Sequence, residues 1–246
     1  MKRNIKIKSL DYLLYTAIFG GITLVSGSIV HALEFSIANI VFLIVGLILT
    51  TVATYLHDSI FSTNKEPFNF SSFFISIITA VSSGTITGGI LHWQESPKFA
   101  IYLIISGFTL SIITTLLFSN KPLKNLFANY FIKLSIFSGM SFISGSIVHA
   151  LNSWFSNFAL IFIGAAMTII ASILNEVLMK KRKISHFISD SVILLFLSIG
   201  IGGITGGILH FTINLQYAVS LITIGTIMSY SAALFKNNGS LVDLRK

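Results

Sequence analysis

Four histidines stand at the same position of one repeated six-residue pattern, and they are the residues of this chain best suited to chemistry. The pattern is [Ser/Thr]-Gly-[Ser/Gly]-Ile-[Val/Leu]-His. Its copies end at His31, His92, His149 and His210, which are 61, 57 and 61 residues apart. Copies one and three share SGSIVHAL, and copies two and four share ITGGILH. Imidazole titrates near physiological pH and is the commonest metal ligand. The pattern therefore predicts histidine chemistry in an A-B-A-B array of one unit. The alternative is that these histidines only pack at helix ends, where they anchor the protein at the membrane interface and bond to the last carbonyl groups of their helices.

Carboxylates follow the histidines in the first half of the chain only. Glu34 and Glu95 each lie three residues after a repeat histidine, where the second half has Asn152 and Ile213. A carboxylate beside a histidine can fix its tautomer, raise its basicity or share a cation. We therefore predict a metal site formed by the four histidines together with Glu34 and Glu95. The alternative is that both carboxylates are loop charges that face water.

A glycine precedes each repeat histidine by one helical turn, at Gly27, Gly88, Gly145 and Gly206. Helix packing explains these glycines, and the space that they leave would also admit the flat macrocycle of a haem b. Two histidines from facing helices can bind such a haem. The natural pairs are His31 with His92 and His149 with His210. Two halves with one pair each are similar in layout, not in sequence, to heme A synthases. In that family, however, the histidines lie on even-numbered helices.

A transporter or channel for a small solute, a cation or a proton is the second functional hypothesis. Four histidines around one axis could select or gate ions at the outer mouth of a path. The apolar runs contain few charges, and we interpret these as solvated inner helix ends: Asp11, Asp58, Glu176 and Asp190. We assign His57 and His186 to inner loops. A third hypothesis is an assembly role, in which small-residue faces bind a partner membrane protein or a second copy.

The composition places these histidines in a membrane protein. Hydrophobic residues make up 54% of the chain and charged residues only 10%, with a mean hydropathy of +0.87, whereas soluble domains average about 25% charged residues. We count eight apolar runs, each near the length of about 20 residues that spans a bilayer as a helix. The sequence therefore predicts an all-α integral membrane protein with eight transmembrane helices.

Basic residues orient the predicted bundle by the positive-inside rule. With the N-terminus inside, only Lys98 falls on the outer side and Lys133 lies within the inner end of span five. All other basic residues fall inside: Lys2, Arg3, Lys6, Lys8, Lys65, Lys121, Lys124, Lys180, Lys181, Arg182, Lys183, Lys236, Arg245 and Lys246. We expect a multi-pass protein of a bacterial plasma membrane with both termini in the cytoplasm. Its basic loops would meet anionic lipids rather than nucleic acid.

Each unit reads as a helical hairpin whose odd helix ends at the histidine. The even helices carry small residues in register, 15 residues after each histidine and four residues later: Gly46 and Thr50, Gly107 and Ser111, Gly164 and Thr168, Gly225 and Ser229. This small-xxx-small spacing lets membrane helices approach closely. We predict two pseudo-symmetric four-helix halves, 1–120 and 121–246, which divide into hairpins 1–60, 61–120, 121–180 and 181–246. The four units are parallel repeats around the membrane normal.

Several kinds of chemistry find no support in the sequence. The chain has no cysteine, so disulfides, thiolate metal sites and cysteine nucleophiles are excluded. It also has no Walker-type loop, no HExxH motif and no GxSxG elbow in a strand–turn–helix setting. We name no catalytic residue.

Overall fold

The described part of this computed structural model consists of α-helices joined by short turns. It comprises residues 2–32, 36–61, 70–118, 123–149, 154–175, 177 and 187–235. These residues form eight helices and no strand: α1 (Lys2–Val30), α2 (Ile37–Phe61), α3 (Phe70–Leu91), α4 (Pro97–Phe118), α5 (Leu123–Val148), α6 (Trp154–Leu174), α7 (Phe187–Leu209) and α8 (Leu215–Phe235). The predicted all-α class is confirmed.

Six helices in the described ranges are long and apolar enough to cross a membrane: Ser9–Val30, Ile37–Phe61, Phe73–Leu91, Pro97–Leu117, Leu126–Val148 and Leu215–Phe235. Shorter apolar helices occupy Phe158–Leu174 and Leu195–Leu209. Large apolar side chains such as Ile48, Tyr102 and Ile227 are exposed on the outside of the bundle. An apolar exterior of this extent suits hydrocarbon rather than water. The fold is that of a multi-pass membrane protein, and the number of eight spans stays a prediction.

Successive helices form four antiparallel pairs, α1–α2, α3–α4, α5–α6 and α7–α8, which are the most extensive helix contacts of the fold. Glycines permit the close approach. A Cβ atom on Gly21 would lie 2.6 Å from the carbonyl oxygen of Gly46, and one on Gly139 would lie 2.6 Å from that of Gly164. The small residues of the even helices therefore lie where a larger side chain would separate the pair.

The four odd helices form the centre of the bundle. Helix α3 packs against α1 and α5, and α7 packs against α5 and α1, so the four close into a ring with the even helices outside. Two buried tyrosine–serine hydrogen bonds join neighbouring pairs. Tyr12 of α1 contacts Ser229 of α8 at 2.8 Å, and Tyr130 of α5 contacts Ser111 of α4 at 2.6 Å. These bonds tie each of two odd helices to an even helix of the neighbouring pair.

Candidate functional site

The four repeat histidines meet at one end of the central helix ring, which we call the histidine end. Each follows the last residue of its odd helix. The imidazole centroids of neighbours around the ring are 5.0 Å apart for His31 and His92, 4.7 Å for His92 and His149, 5.0 Å for His149 and His210, and 5.2 Å for His210 and His31. His31 and His149 face each other across the ring at 5.9 Å. The four imidazoles thus form one cluster, the histidine ring. The spacing within the predicted pairs, 5.0 Å, falls between the two spacings that separate the pairs, 4.7 and 5.2 Å.

The pattern that contains each histidine also brings the ring together. The residue directly before a histidine packs onto the pattern glycine of the next odd helix: Val30 on Gly88, Leu91 on Gly145, Val148 on Gly206 and Leu209 on Gly27. A Cβ atom on Gly145 or Gly27 would lie 2.5 Å from a leucine methyl carbon. The glycines therefore act as sockets for neighbouring side chains. They also line the cavity beneath the histidines.

Hydrogen bonds at Nδ1 set the tautomers of two of the ring histidines. His92 donates from Nδ1 to Oε2 of Glu95 at 2.5 Å, and His210 donates from Nδ1 to the carbonyl oxygen of Gly206 at 2.9 Å. A neutral imidazole that donates from Nδ1 keeps its lone pair on Nε2. In the described part of the chain, Nε2 of His92 is buried without a hydrogen-bond partner. Such a nitrogen is ready to bind a cation.

Three ring histidines already offer donor atoms close enough to share an ion. One ligand nitrogen each from His31, His149 and His210 lies within 4.8 Å of the others. In a tetrahedral zinc site with bonds of 2.0–2.1 Å, ligand nitrogens are roughly 3.4 Å apart. The three imidazoles are therefore compatible with a metal site.

Burial keeps two of the imidazoles neutral. His31 and His149 lie just beyond the spans Ser9–Val30 and Leu126–Val148. Desolvation by burial, and next the nearby imidazoles of His92 and His210, lowers the pKa of His31 from 6.5 to about 4. The same causes lower the pKa of His149 to about 3. Neutral imidazole is the form that binds metal, so these two histidines suit a cation at physiological pH.

The predicted carboxylate ligands have different outcomes. Glu95 contacts His92, and its side chain is 61% exposed, so it acts on the imidazole from the solvent side. Glu34 and Asn152 lie outside the described residues.

Two contacts that the sequence did not indicate fix the backbone beside the ring. Asn39 donates to the carbonyl oxygen of His31 at 2.9 Å, and the Tyr217 hydroxyl donates to that of Ile147.

A cavity of about 140 Å³ lies beneath the histidine ring, along the axis of the four odd helices. Its lining begins at the four histidines and continues with small and hydroxyl residues, including Thr23, Ser26, Thr87, Ser141 and Ser144. Twelve residues before each histidine, the lining ends at Phe19, Ala80, Phe137 and Ser198. The cavity has room for several water molecules. The ring thus stands at one end of a small chamber whose lining is mainly apolar and includes several hydroxyl groups.

Two residues at the opposite end correct the sequence interpretation. Asp11 is only 5% exposed and is not a solvated helix end. His57 is 4% exposed and belongs to α2 rather than to a loop. The two side chains contact each other at 3.2 Å. A carboxylate in the first apolar run and a histidine in the second could have indicated this pair. Glu176 and His186 lie outside the described residues.

The comparisons with known proteins assign no family to this arrangement. No protein-family model, curated protein sequence or solved structure matches the chain. The case for a function therefore depends on the geometry of the histidine ring and of the cavity beneath it.

Proposed function

We propose that this membrane protein binds one divalent transition-metal ion through His31, His92, His149 and His210, at the mouth of the axial cavity. One observation carries the proposal. Donor atoms of three histidines lie within 4.8 Å of one another, and the fourth histidine has a buried Nε2 that no hydrogen bond uses. Burying a polar nitrogen without a hydrogen-bond partner, as at Nε2 of His92, costs free energy. A shared cation would offset that cost.

The donor set favours a transition metal over other ions. Imidazole nitrogen suits zinc, copper, iron and nickel, whereas calcium and magnesium prefer oxygen ligands. The hydrogen bond between His92 and Glu95 provides the outer support that metal-binding imidazoles usually have, and the one between His210 and Gly206 does the same. These features together favour a site for zinc or a similar ion.

The spacing of the imidazoles favours a single ion over a haem. A six-coordinate haem lies between two axial ligands, and its macrocycle is far wider than an imidazole. Here five of the six pairs of ring imidazoles have centroids within 6 Å of each other, so the space beside the pair His31–His92 contains the other two. A visible spectrum of purified protein, expressed with ample haem, distinguishes the two. We expect no haem bands, and a Soret band whose α and β bands sharpen with dithionite would overturn the choice of a metal ion.

Titration of the purified protein with Zn²⁺ tests the site directly. We expect one ion for each chain, and a loss of at least about 100-fold in affinity for each single histidine-to-alanine variant. This estimate follows from sharing about 10–16 kcal/mol of zinc binding among four ligands. The matched control is Trp93→Phe, which changes an exposed side chain next to His92. A shared site would be contradicted if each chain bound two zinc ions and each histidine-to-alanine substitution weakened the binding of only one of them.

The cavity favours transport as the second candidate function. Four parallel repeats, eight spans and an outward-facing histidine end would present the ring to the exterior, and the chamber beneath it offers hydroxyl groups such as Ser26 and Thr87. Rings of side chains at a pore mouth select ions in this way. Vesicles that contain the protein and an internal zinc dye test the idea. We expect zinc entry that His92→Ala abolishes, and entry equal to that of empty vesicles would leave metal binding without transport.

A further inference from the structure

A second group of buried ionisable residues lies at the end of the bundle opposite the histidine ring. Nε2 of His57 on α2 is 3.2 Å from Oδ1 of Asp11 on α1, and Nδ1 of His57 is 3.9 Å from Oδ1 of Asp58. The side chains of Asp11 and His57 are almost completely buried, whereas that of Asp58 is 18% exposed. The pair is therefore enclosed in the bundle but has a partly exposed carboxylate beside it.

A buried polar side chain lies between this pair and the axial cavity. Tyr15 lies one helical turn from Asp11 on the same face of α1. Its ring packs in one cluster with Leu197, the residue before Ser198 on α7. Ser198 lines the inner end of the cavity, and its hydroxyl donates to Sδ of Met140 at 3.0 Å. Ser198, Tyr15, Asp11, His57 and Asp58 thus form a polar series between the cavity and the opposite end of the bundle.

The side chains that surround this series are apolar. Tyr15 packs in a cluster with Leu197, Ile201 and Ala233, and its ring stacks on Phe19 at 4.5 Å. Ionisable groups within membrane spans are costly and mark ion or proton pathways more often than chance. Phe19 and Phe137 line the inner end of the cavity, so the polar series lies beside apolar rings at that end.

We propose that Asp11 and His57 are a proton-transfer pair, and that Tyr15 and Ser198 connect this pair to water in the axial cavity. The pair binds one proton, which the imidazole and the carboxylate share. Each hydroxyl of the series accepts a proton on its oxygen and releases its own, so no group is changed after a transfer. The proton leaves towards the opposite face through Asp58. This role goes beyond metal binding and depends on none of the ring histidines.

The other titratable groups near the pair are few among the side chains that the structure describes. Helix α1 contributes Tyr12 and α8 contributes Tyr230, whose rings contact each other at 5.2 Å. The Tyr12 hydroxyl is bound to Ser229 at 2.8 Å, and that of Tyr230 to Ser9 at 3.3 Å. Neither bond belongs to the series. Tyr12 is therefore a matched control, because it is a buried tyrosine three residues from Tyr15 on the same helix.

Proton flux into vesicles tests the proposal without any metal. Protein is reconstituted into phosphatidylethanolamine and phosphatidylglycerol vesicles that contain the pH dye pyranine, in buffer with EDTA, and a potassium diffusion potential drives protons inward. We expect the wild type to acidify the interior faster than empty vesicles do. We expect Asp11→Asn and Tyr15→Phe to slow this flux at least about tenfold, since proton relays contribute factors of this order or more. Tyr12→Phe should keep the flux.

Two results would overturn the proposal. One is a wild-type flux no faster than that of empty vesicles. The other is an unchanged flux in Tyr15→Phe, which removes one hydroxyl and leaves the ring to pack on Phe19. If Asp11→Asn does not survive purification as a monodisperse helical protein, Tyr15→Phe and His57→Gln decide the result. Since no metal is present, these outcomes are independent of the zinc titration.

Discussion

Two hydrogen bonds decide which nitrogen His92 and His210 can offer to a cation. Each imidazole donates from Nδ1, one to Glu95 and the other to the carbonyl oxygen of Gly206. Each is thereby oriented before an ion arrives, which lowers the entropy that binding must overcome. The acceptor is a carboxylate in the first half of the chain and a backbone carbonyl in the second half. Both histidines therefore carry the proton on Nδ1, although their acceptors differ.

Removal of the Glu95 carboxylate should weaken metal binding without removing a ligand. We expect Glu95→Gln to lower the zinc affinity by about 10–100-fold, the usual effect of losing an outer partner of a metal-bound histidine. Isothermal titration with Zn²⁺ measures the change. Lys98→Met is the control, because loss of a nearby exposed positive charge should by electrostatics alone strengthen cation binding. An affinity in Glu95→Gln equal to that of the wild type would show that its bond to His92 does not support the site.

The lowered pKa values predict how acid affects the metal-free protein. Unfolded histidines take up protons near pH 6.5, whereas folded His31 and His149 do so only near pH 4 and 3. Their contribution to stability is therefore complete above pH 6.5 and is lost progressively as the pH falls below it. We expect the melting temperature in EDTA to fall between pH 7 and pH 5. The double variant His31→Gln/His149→Gln should show a smaller fall, and an equal fall would contradict the assignment.

Packing of the odd helices depends on which side chain occupies each glycine socket. A Cβ atom on Gly88 would lie 2.9 Å from Cγ1 and 3.1 Å from Cβ of Val30, and one on Gly206 would lie 3.0 Å and 3.1 Å from the same atoms of Val148. At Gly27 and Gly145 the nearest atom is the end of a leucine side chain. Valine branches at Cβ and cannot turn away, whereas leucine can change rotamer.

The two kinds of socket should respond differently to one added methyl group. We expect Gly88→Ala and Gly206→Ala to destabilise the protein by about 1–3 kcal/mol, as overpacking does. Gly27→Ala and Gly145→Ala should cost clearly less, so each pair is the control for the other. Thermal melting in detergent, followed by circular dichroism, measures the order. Equal melting temperatures for all four variants would contradict the packing described here.

The sequence indicated the elements of the site better than their arrangement. Hydropathy located the eight helices, and the pattern located a glycine and a histidine at the end of each odd helix. The paired helices contact each other at a repeat position ten residues before each histidine, which is occupied by Gly21, Ser82, Gly139 and Gly200. This contact position was not identified from the sequence, because one unit has serine there instead of glycine. The Asp11–His57 pair has no counterpart of the same composition in the other units, so no repeat could indicate it.

The closed ring is a property of the whole chain that sequence spacing does not specify. The order of the units along the chain predicted two separate pairs of histidines, one in each half. Contact of α7 with α1 closes the ring instead, so that the imidazole centroids of His210 and His31 are 5.2 Å apart, against 5.0 Å for His31 and His92. That contact brings together His31 and His210, which are 179 residues apart in the sequence, and long-range packing of this kind leaves no local periodic signal. Only the assembled bundle makes one cluster of the four histidines.

X-ray absorption spectroscopy of protein loaded with one equivalent of Zn²⁺ tests the central claim most directly. A single site shared by the histidine ring predicts a shell of nitrogen ligands at about 2.0–2.1 Å, with the multiple-scattering pattern of imidazole. In His92→Ala the imidazole count should fall by one, with a water oxygen in its place. An oxygen-dominated shell in the wild type, or an imidazole count that His92→Ala leaves unchanged, would contradict the shared four-histidine site.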